Sequence, residues 1–280
     1  MTRISYLNGK FLPHDQCLVH IEDRGFQFAD GAYEVTLFKN NKLIDGTNHM
    51  QRMLRSLKEL NIMHKFTVEF LLKTQLELLQ KNQQINDAIC YMQITRGTHN
   101  RIPNHPKNID PTIAITIALR NIISEEEYNN GLKIMTHDDI RWHRCDIKTV
   151  NLVASAMVNQ KAKDNGFDDA IYIRDGFITE ATYANVFIVD SSNNLITHPS
   201  ANEILSGITR SRIISLAIAN KINVIEKKFT LEEMLASNEA FLTGSVALIR
   251  VINSINNIKI NNNREISALL RKLYDEFINQ

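Results

Sequence analysis

The chain has almost no excess charge of either sign: in 280 residues, 32 Lys and Arg stand against 31 Asp and Glu. No strong field therefore favours nucleic acid or an anionic membrane, and a small molecule is the expected partner. Long apolar runs are missing as well, since none approaches the roughly 20 residues needed to cross a bilayer. The opening stretch MTRISYLNGKFLPHD lacks the apolar core of a signal peptide, so a cytoplasmic protein is expected. Cysteine is scarce. Cys17, Cys90 and Cys145 are odd in number and far apart, with no CxxC pair among them, which argues against a disulfide framework and a zinc site. No metal is expected, and there is no internal repeat.

What the chain does have is 44% apolar residues, enough for one large core or two moderate ones, and two compact domains are expected. ISYLNGKFLP alternates around Asn8-Gly9, the pair that favours a two-residue hairpin turn, and AYEVTLFKNNKLID repeats the idea around Asn40-Asn41. Helical stripes follow. NHMQRMLRSLKELNI aligns Met50, Met53, Leu54, Leu57 and Leu60, and TVEFLLKTQLELLQKN aligns Phe70, Leu71 and Leu78. The β-rich runs AICYMQITRG and PTIAITIAL then complete a small α+β domain over residues 1–119. The charged, amide-rich RNIISEEEYNNG, residues 120–130, reads as an interdomain connection.

Residues 131–280 form the larger, mixed domain. It holds a strand LKIMTHDDI, a helix NLVASAMVNQKAKDNG capped by Gly166, a strand pair DDAIYIRDGFITEA turning at Asp175-Gly176, and strands ANVFIVD and LITHPS. A helix TRSRIISLAIANK starts after Gly207, a single strand NEAFLTGSVALIRVI follows, and the helix EISALLRKLYDEFINQ closes the chain. NSINNIKINNN reads as turn and strand with a compositional bias.

Several residues invite a chemical reading. Lys148 stands beside Ile147 and just before Val150, Asn151, Leu152 and Val153. Most lysines are solvated surface charges, yet an amine among apolar neighbours is favoured in its neutral form, the form that condenses with a carbonyl. Glu180 in FITEATYANVF is either a solvated turn residue or a carboxylate for the nitrogen of a pyridine ring. In LSGITRSR, a glycine and a threonine at a helix start suit a phosphate, and suit ordinary capping equally. Arg52 reads as a surface charge or a phosphate partner, and Ser245 in LTGSVA offers one more hydroxyl.

Taken in order, DRGFQFADGAYE, HMQRMLRS, TRGTHNR, DDIRWHRCDIKTVNLVAS, TEATYANVF, HPSANEILSGITR and FLTGS resemble the class IV (fold type IV) pyridoxal-phosphate enzymes. The likeness is greatest to the D-amino acid transaminases and covers nearly the whole chain. It implies an α+β fold with a small N-terminal α+β domain and a larger C-terminal α/β domain built as a pseudo-barrel. Pyridoxal 5'-phosphate is the implied cofactor, with Lys148 as the residue that holds it and then shuttles a proton. Glu180 is implied as partner of the pyridine nitrogen; Arg52, Ile208, Thr209 and Ser245 as the phosphate cup; and Leu205 as packing behind the ring. Tyr183, Ala184 and Asn185 fall in the loop after the glutamate.

Tyr33 and Arg101 match the residues that bind the substrate carboxylate. The family's usual Arg-x-His reads Arg101-x-Pro103 here, removing a donor for which His99 and His105 are nearby substitutes. Ala29 replaces a common glycine, read as a small packing change. The resemblance also implies a homodimer in which the Arg101 loop reaches the neighbouring subunit's site. The reaction it implies exchanges an amino group between a D-amino acid and a 2-oxo acid by a ping-pong mechanism. Two rivals share the fold and cofactor: 4-amino-4-deoxychorismate lyase, and branched-chain amino acid transaminase, for which the chain is short. A non-catalytic relative is argued against by the intact lysine, glutamate and phosphate cup.

Overall fold

Backbone pairing, more than chain order, decides which residues belong together. In the computed structural model, which describes all residues except 1–2, 41, 83–86, 121–123, 247 and 262, one unit comprises Met1–Asn121 with Ile147–Asn151, and the other Ile122–Asp146 with Leu152–Gln280. The segment carrying Lys148 thus belongs to the first unit, where a linear reading gives it to the second. The reason is local: Thr149 bridges Ala32, the Tyr33 amide donates to the Lys148 carbonyl at 3.0 Å, and the Val150 amide donates to Gly31 at 3.1 Å.

The first unit contains β1 (Ile4–Leu7), β2 (Lys10–Pro13), α1 (Arg24–Phe28), β3 (Gly31–Lys39), β4 (Lys42–Leu43), α2 (Gly46–Glu59), α3 (Val68–Lys81), β5 (Asp87–Thr95) and β6 (Thr112–Leu119). Its antiparallel sheet runs β2-β1-β6-β5-β3-β4. The first hairpin turns at Asn8 and Gly9, both with positive φ, as the Asn-Gly pair demands. The second turn expected at Asn40-Asn41 includes a residue outside those described. The apolar faces of α2 and α3 meet one face of the sheet: Met50, Met53, Leu57, Leu71 and Leu78 are fully buried against Cys90, Met92, Ile94 and Ile115. Each such side chain contributes about 1.5–3 kcal/mol. Phe70 departs from its expected place, facing outward, because it is one position removed from the Leu71 and Leu78 stripe.

Two further expectations change here. Ala29 is the C-cap of α1 in the left-handed region, φ 53°, so replacing glycine there strains the backbone more than it alters packing. Within the expected connection 120–130, residues 121–123 lie outside those described, but Ser124 and Glu127 form a capping box that starts α4 (Glu125–Asn130).

The second unit continues with β7 (Leu132–Asp138), α5 (Val153–Asp164), β8 (Asp169–Arg174), β9 (Phe177–Ala181), β10 (Asn185–Val189), β11 (Leu195–Thr197), α6 (Ile208–Ala219), β12 (Val224–Glu226), α7 (Leu231–Leu235), β13 (Glu239–Gly244), β14 (Leu248–Ile255), β15 (Ile258–Lys259) and α8 (Glu265–Asn279). Strands β10-β13-β14-β7-β8-β9 are successive neighbours, and Asn185 of β10 pairs with Glu180 of β9, which closes a six-stranded barrel. The expected pseudo-barrel is present. β7 runs parallel to β8, and the long crossover such a pair requires is where α5 lies. Ile171, Ile178, Val186, Ile188, Leu242 and Ile252 fill its core.

The expected single strand NEAFLTGSVALIRVI is a hairpin instead, β13 turning into antiparallel β14, because Gly244-Ser245 ends the first strand. Gly166 lies one residue past the cap Asn165 of α5 with φ 79°. There its amide and that of Phe167 donate back to Lys163 and Ala162, a Schellman ending. Among the described residues, no helix is long and apolar enough to cross a membrane, and no group of three or more His, Cys, Asp or Glu is arranged to hold a metal.

Candidate active site

Alternation along β3 sends Tyr33 and Glu34 to opposite faces of the first unit's sheet. On the Tyr33 side, the half-buried Lys148 places its Nζ 4.2 Å from the centre of the Tyr33 ring. The ring stacks on Tyr91 at 5.7 Å, and the Tyr91 hydroxyl donates to Gln93 at 2.7 Å. Burial pushes the Tyr91 hydroxyl up to about 12, with Tyr33 adding to the effect. An amine held over the face of one of two stacked tyrosines is a place for a carbonyl compound to be met and oriented.

On the other face, Glu34 is fully buried and holds Arg52, whose Nε and Nη2 donate to its two oxygens at 2.7 and 2.9 Å. His49 Nδ1 donates to the same carboxylate at 2.8 Å. His49, Arg52 and Ser56 lie three and four residues apart on α2 and so share the face turned to the sheet. The Ser56 hydroxyl accepts from the Lys148 amide at 3.4 Å. Burial alone would raise the Glu34 carboxyl, but the Arg52 charge and the His49 and Arg52 hydrogen bonds outweigh it, bringing it from the ordinary 4.5 to about 2.

In the second unit, Glu180 lies on β9 where that strand meets β10. Arg141 donates to one of its oxygens; the Asn185 amide group at 3.2 Å and the Leu205 backbone N–H at 3.0 Å donate to the other. Burial raises the Glu180 carboxyl, and Arg141 opposes the rise. Arg141 is itself held by Asp139 at 2.8 Å and lies 4.3 Å over the Tyr172 ring. Asn185 also donates to the Leu205 carbonyl at 2.8 Å, so Glu180 and Leu205 are joined through it. α6 starts at Ile208 with Gly207 as N-cap and no side-chain cap. A Cβ at Gly207 would stand 2.0 Å from the Asn185 side chain. Thr209 is buried, and Ser245 is half-buried just after β13.

Each unit by itself offers groups suited to part of a phosphorylated pyridine aldehyde. In the first unit, a lysine amine suits the aldehyde and a buried arginine suits a phosphate; in the second, the amides at Ile208 and Thr209, where α6 starts without a side-chain cap, and a serine hydroxyl suit a phosphate, and a buried carboxylate suits a ring nitrogen. The structure joins Lys148 with Tyr33 and Glu180 with Leu205, and places Ile208 and Thr209 at one helix start. Arg101 is exposed, with its guanidinium 4.9 Å from the centre of the Phe28 ring. His105 Nε2 is 3.4 Å from Arg96, and His99 is bonded to the Asn100 carbonyl. Sequence reasoning missed Glu34, His49, Arg141 and Asp139, which hold the expected side chains in place. The available signal was a carboxylate inside an otherwise apolar strand, GAYEVTLF, and the close spacing of acid and base in DDIR.

The family model for amino-transferase class IV matches residues 31–255. A D-alanine aminotransferase of Bacillus licheniformis is 39% identical over 249 residues, covering 89% of this chain and 87% of that protein. One of Staphylococcus epidermidis is 32% identical, covering 99% of this chain and 97% of that protein. Among solved structures, a branched-chain aminotransferase of Thermobaculum terrenum in its PLP form has a TM-score of 0.88 at 22% identity, covering 99% of this chain and 94% of that one. A putative 4-amino-4-deoxychorismate lyase of Legionella pneumophila has a TM-score of 0.83 at 24% identity, covering 92% and 95%. At those identities the structural likeness speaks to the fold alone.

Proposed function

Because this chain belongs to aminotransferase class IV, whose cofactor is pyridoxal 5'-phosphate, we propose that it moves the amino group of a D-amino acid, D-alanine or one similar, to a 2-oxo acid by a ping-pong mechanism. The observation that carries the substrate class is the likeness to D-alanine aminotransferases over nearly the whole chain. When bound, the cofactor supplies a carbonyl carbon that condenses with amines and a ring that stores electrons.

In this reading Lys148 Nζ would hold the cofactor, and its free amine would take the proton from the substrate α-carbon. Its position over Tyr33 in a half-buried setting supports that role. Glu180, as a carboxylate, keeps a proton at the ring nitrogen, and Arg141 and the Leu205 N–H, which oppose the rise that burial imposes on its carboxyl, favour that charged form. Arg52, the amides at Ile208 and Thr209, and the Ser245 hydroxyl take the phosphate, and Leu205 packs against the ring. Tyr33 and Arg101 take the substrate carboxylate, with Arg101 alone where the family usually adds a histidine.

A cytoplasmic homodimer completes the reading. Leu18, Ile21 and Phe26, 78%, 73% and 77% exposed, are large apolar side chains that a second copy would cover, and sedimentation at several concentrations tests it. The catalytic test supplies the cofactor-loaded protein with D-alanine and 2-oxoglutarate and follows pyruvate, with L-leucine and 4-amino-4-deoxychorismate in parallel. Pyruvate from D-alanine that requires the acceptor is the expected result. Acceptor-independent pyruvate from 4-amino-4-deoxychorismate would replace the reading by the lyase, and turnover of L-leucine alone by the branched-chain transaminase.

A further inference from the structure

The loop that carries Arg101 is tied to α1 at three levels. At its root, the backbone of residues 22–24 pairs with that of 97–99: Asp23 bridges Thr98, the Arg24 amide donates to Gly97 at 3.0 Å, and the His99 amide donates to Glu22 at 3.3 Å. Farther out, the buried Arg24 side chain donates from Nη1 to the Ile102 carbonyl at 2.7 Å, at the residue next to Arg101. At the tip, the Arg101 guanidinium lies over Phe28. Arg24 and Phe28 are four residues apart on α1 and therefore share a face, and Arg24 lies 4.4 Å from the same ring's centre.

Arg24 has little freedom to do otherwise. Its Nε donates to Asp30 at 2.8 Å, and Asp30 is gripped from the other side by Arg96 at 2.7 and 2.9 Å. Arg96 in turn donates to the carbonyls of Asn61 and Leu60 at 2.7 and 2.8 Å, which fastens the cluster to the end of α2. All three charged side chains are at most 10% exposed. Two arginines on one carboxylate outweigh the effect of burial and hold the Asp30 carboxyl below its ordinary range. The cluster thus links Arg24, which touches the Arg101 loop, through Asp30 and Arg96 to the end of α2.

We propose that Arg24 and Phe28 are positioning residues for Arg101: Arg24 fixes the loop backbone through the Ile102 carbonyl, Phe28 seats the guanidinium, and together they set how the protein recognises a substrate carboxylate. The proposal rests on the reading of Arg101 as the carboxylate-binding arginine. A bidentate contact depends steeply on placement, so a guanidinium freed from its seat binds a carboxylate less often in the productive geometry. With proline at position 103, loop placement rests the more on these two contacts.

The test compares Phe28→Leu, Phe28→Tyr, Arg24→Gln and Arg101→Ala, singly and with Arg101→Ala added to each of the others. KM and kcat for D-alanine are measured on cofactor-saturated protein, and peptide mapping follows tryptic cleavage at the Arg101–Ile102 bond. Phe28→Leu and Arg24→Gln are expected to raise KM about tenfold with kcat within about threefold. Both are expected to speed cleavage at that bond, which needs local release of the loop. Phe28→Tyr, which keeps the ring, is expected to behave as the native protein. In the Arg101→Ala background neither substitution is expected to raise KM further.

Unchanged KM and cleavage in Phe28→Leu, which keeps the apolar contact and is expected to fold even if Arg24→Gln does not, would overturn the proposal. So would a KM rise that persists undiminished after Arg101 is removed. If Arg101→Ala itself leaves KM unaltered, the carboxylate reading of Arg101 fails and the recognition role falls with it. Cleavage kinetics then still report whether the anchoring exists, so the two failures are distinguishable.

Discussion

Replacing Glu34 by glutamine tests the buried network around Arg52 with little change in shape. The native carboxylate accepts from Arg52 Nε, Arg52 Nη2 and His49 Nδ1. A glutamine side chain has one oxygen to offer, and its NH2 would face groups that are themselves donors, so at least one buried donor loses its acceptor. Two routes give the magnitude. A carboxyl held at about 2 against an ordinary 4.5 contributes about 3 kcal/mol of folding stability at neutral pH. Removing one partner of a buried ion pair costs about 3–5 kcal/mol.

The sign with pH follows from the lowered value. The contribution is fully present above 4.5 and drains away as pH falls through about 2. The assay is urea unfolding of the cofactor-free native and Glu34→Gln proteins from about pH 7.5 down to about pH 3, the acid side of the ordinary carboxylate range. The gap between them is expected to be about 3 kcal/mol at the upper end and to have shrunk by more than half at the lower. A gap below about 0.5 kcal/mol at neutral pH, or one that ignores pH, refutes the reasoning.

Four further outcomes follow from the same structure. Ala29→Gly relieves a left-handed alanine at the end of α1 and is expected to add about 1 kcal/mol, seen as a rise of about 2–4 °C in Tm; an unchanged or lower Tm contradicts it. Arg141→Leu strips the buried Glu180 of the charge that opposes its rise, and is expected to cost about 3 kcal/mol in a thermal melt, with Arg141→Lys losing less. Lys148→Ala is expected to reduce kcat by at least about 10³ while the protein stays folded by circular dichroism; near-native turnover removes Lys148 from the chemistry. Burial pushes the Cys145 thiol up to about 11 despite Arg141, so in the folded protein an alkylating agent is expected to label the half-exposed Cys17 before Cys145 or the buried Cys90. Equal labelling by mass spectrometry counts against that packing.

Local signals in the chain carried well into the structure where one interaction decides the outcome. Asn8-Gly9 and Asp175-Gly176 turn because both residues of each pair tolerate positive φ, and the helical stripes of α2 and α3 bury because their period matches the helix. Signals that depend on partners distant in sequence were opaque. That residues 147–151 join the first unit follows from pairing with β3 more than a hundred positions earlier, which no periodicity encodes. The closure of β9 on β10 is of the same kind, and so is the capture of Arg141 by Glu180.

Among the side chains of the candidate site, the sequence pointed to the groups proposed to meet a cofactor or substrate and passed over those that hold them. A residue such as Glu34 has its role defined only by what packs against it. Phe70 and Ala29 show the reverse error: a local pattern suggested a bland place for each, and the backbone assigned another.

The most direct test of the account is chemical trapping. The protein is loaded with pyridoxal 5'-phosphate, reduced with borohydride to fix the cofactor on the amine that holds it, digested, and mapped by mass spectrometry. One cofactor per chain on Lys148, displaced when excess D-alanine is added before reduction and retained with L-leucine, is the predicted result. A cofactor fixed on another lysine, or none fixed at all, contradicts it.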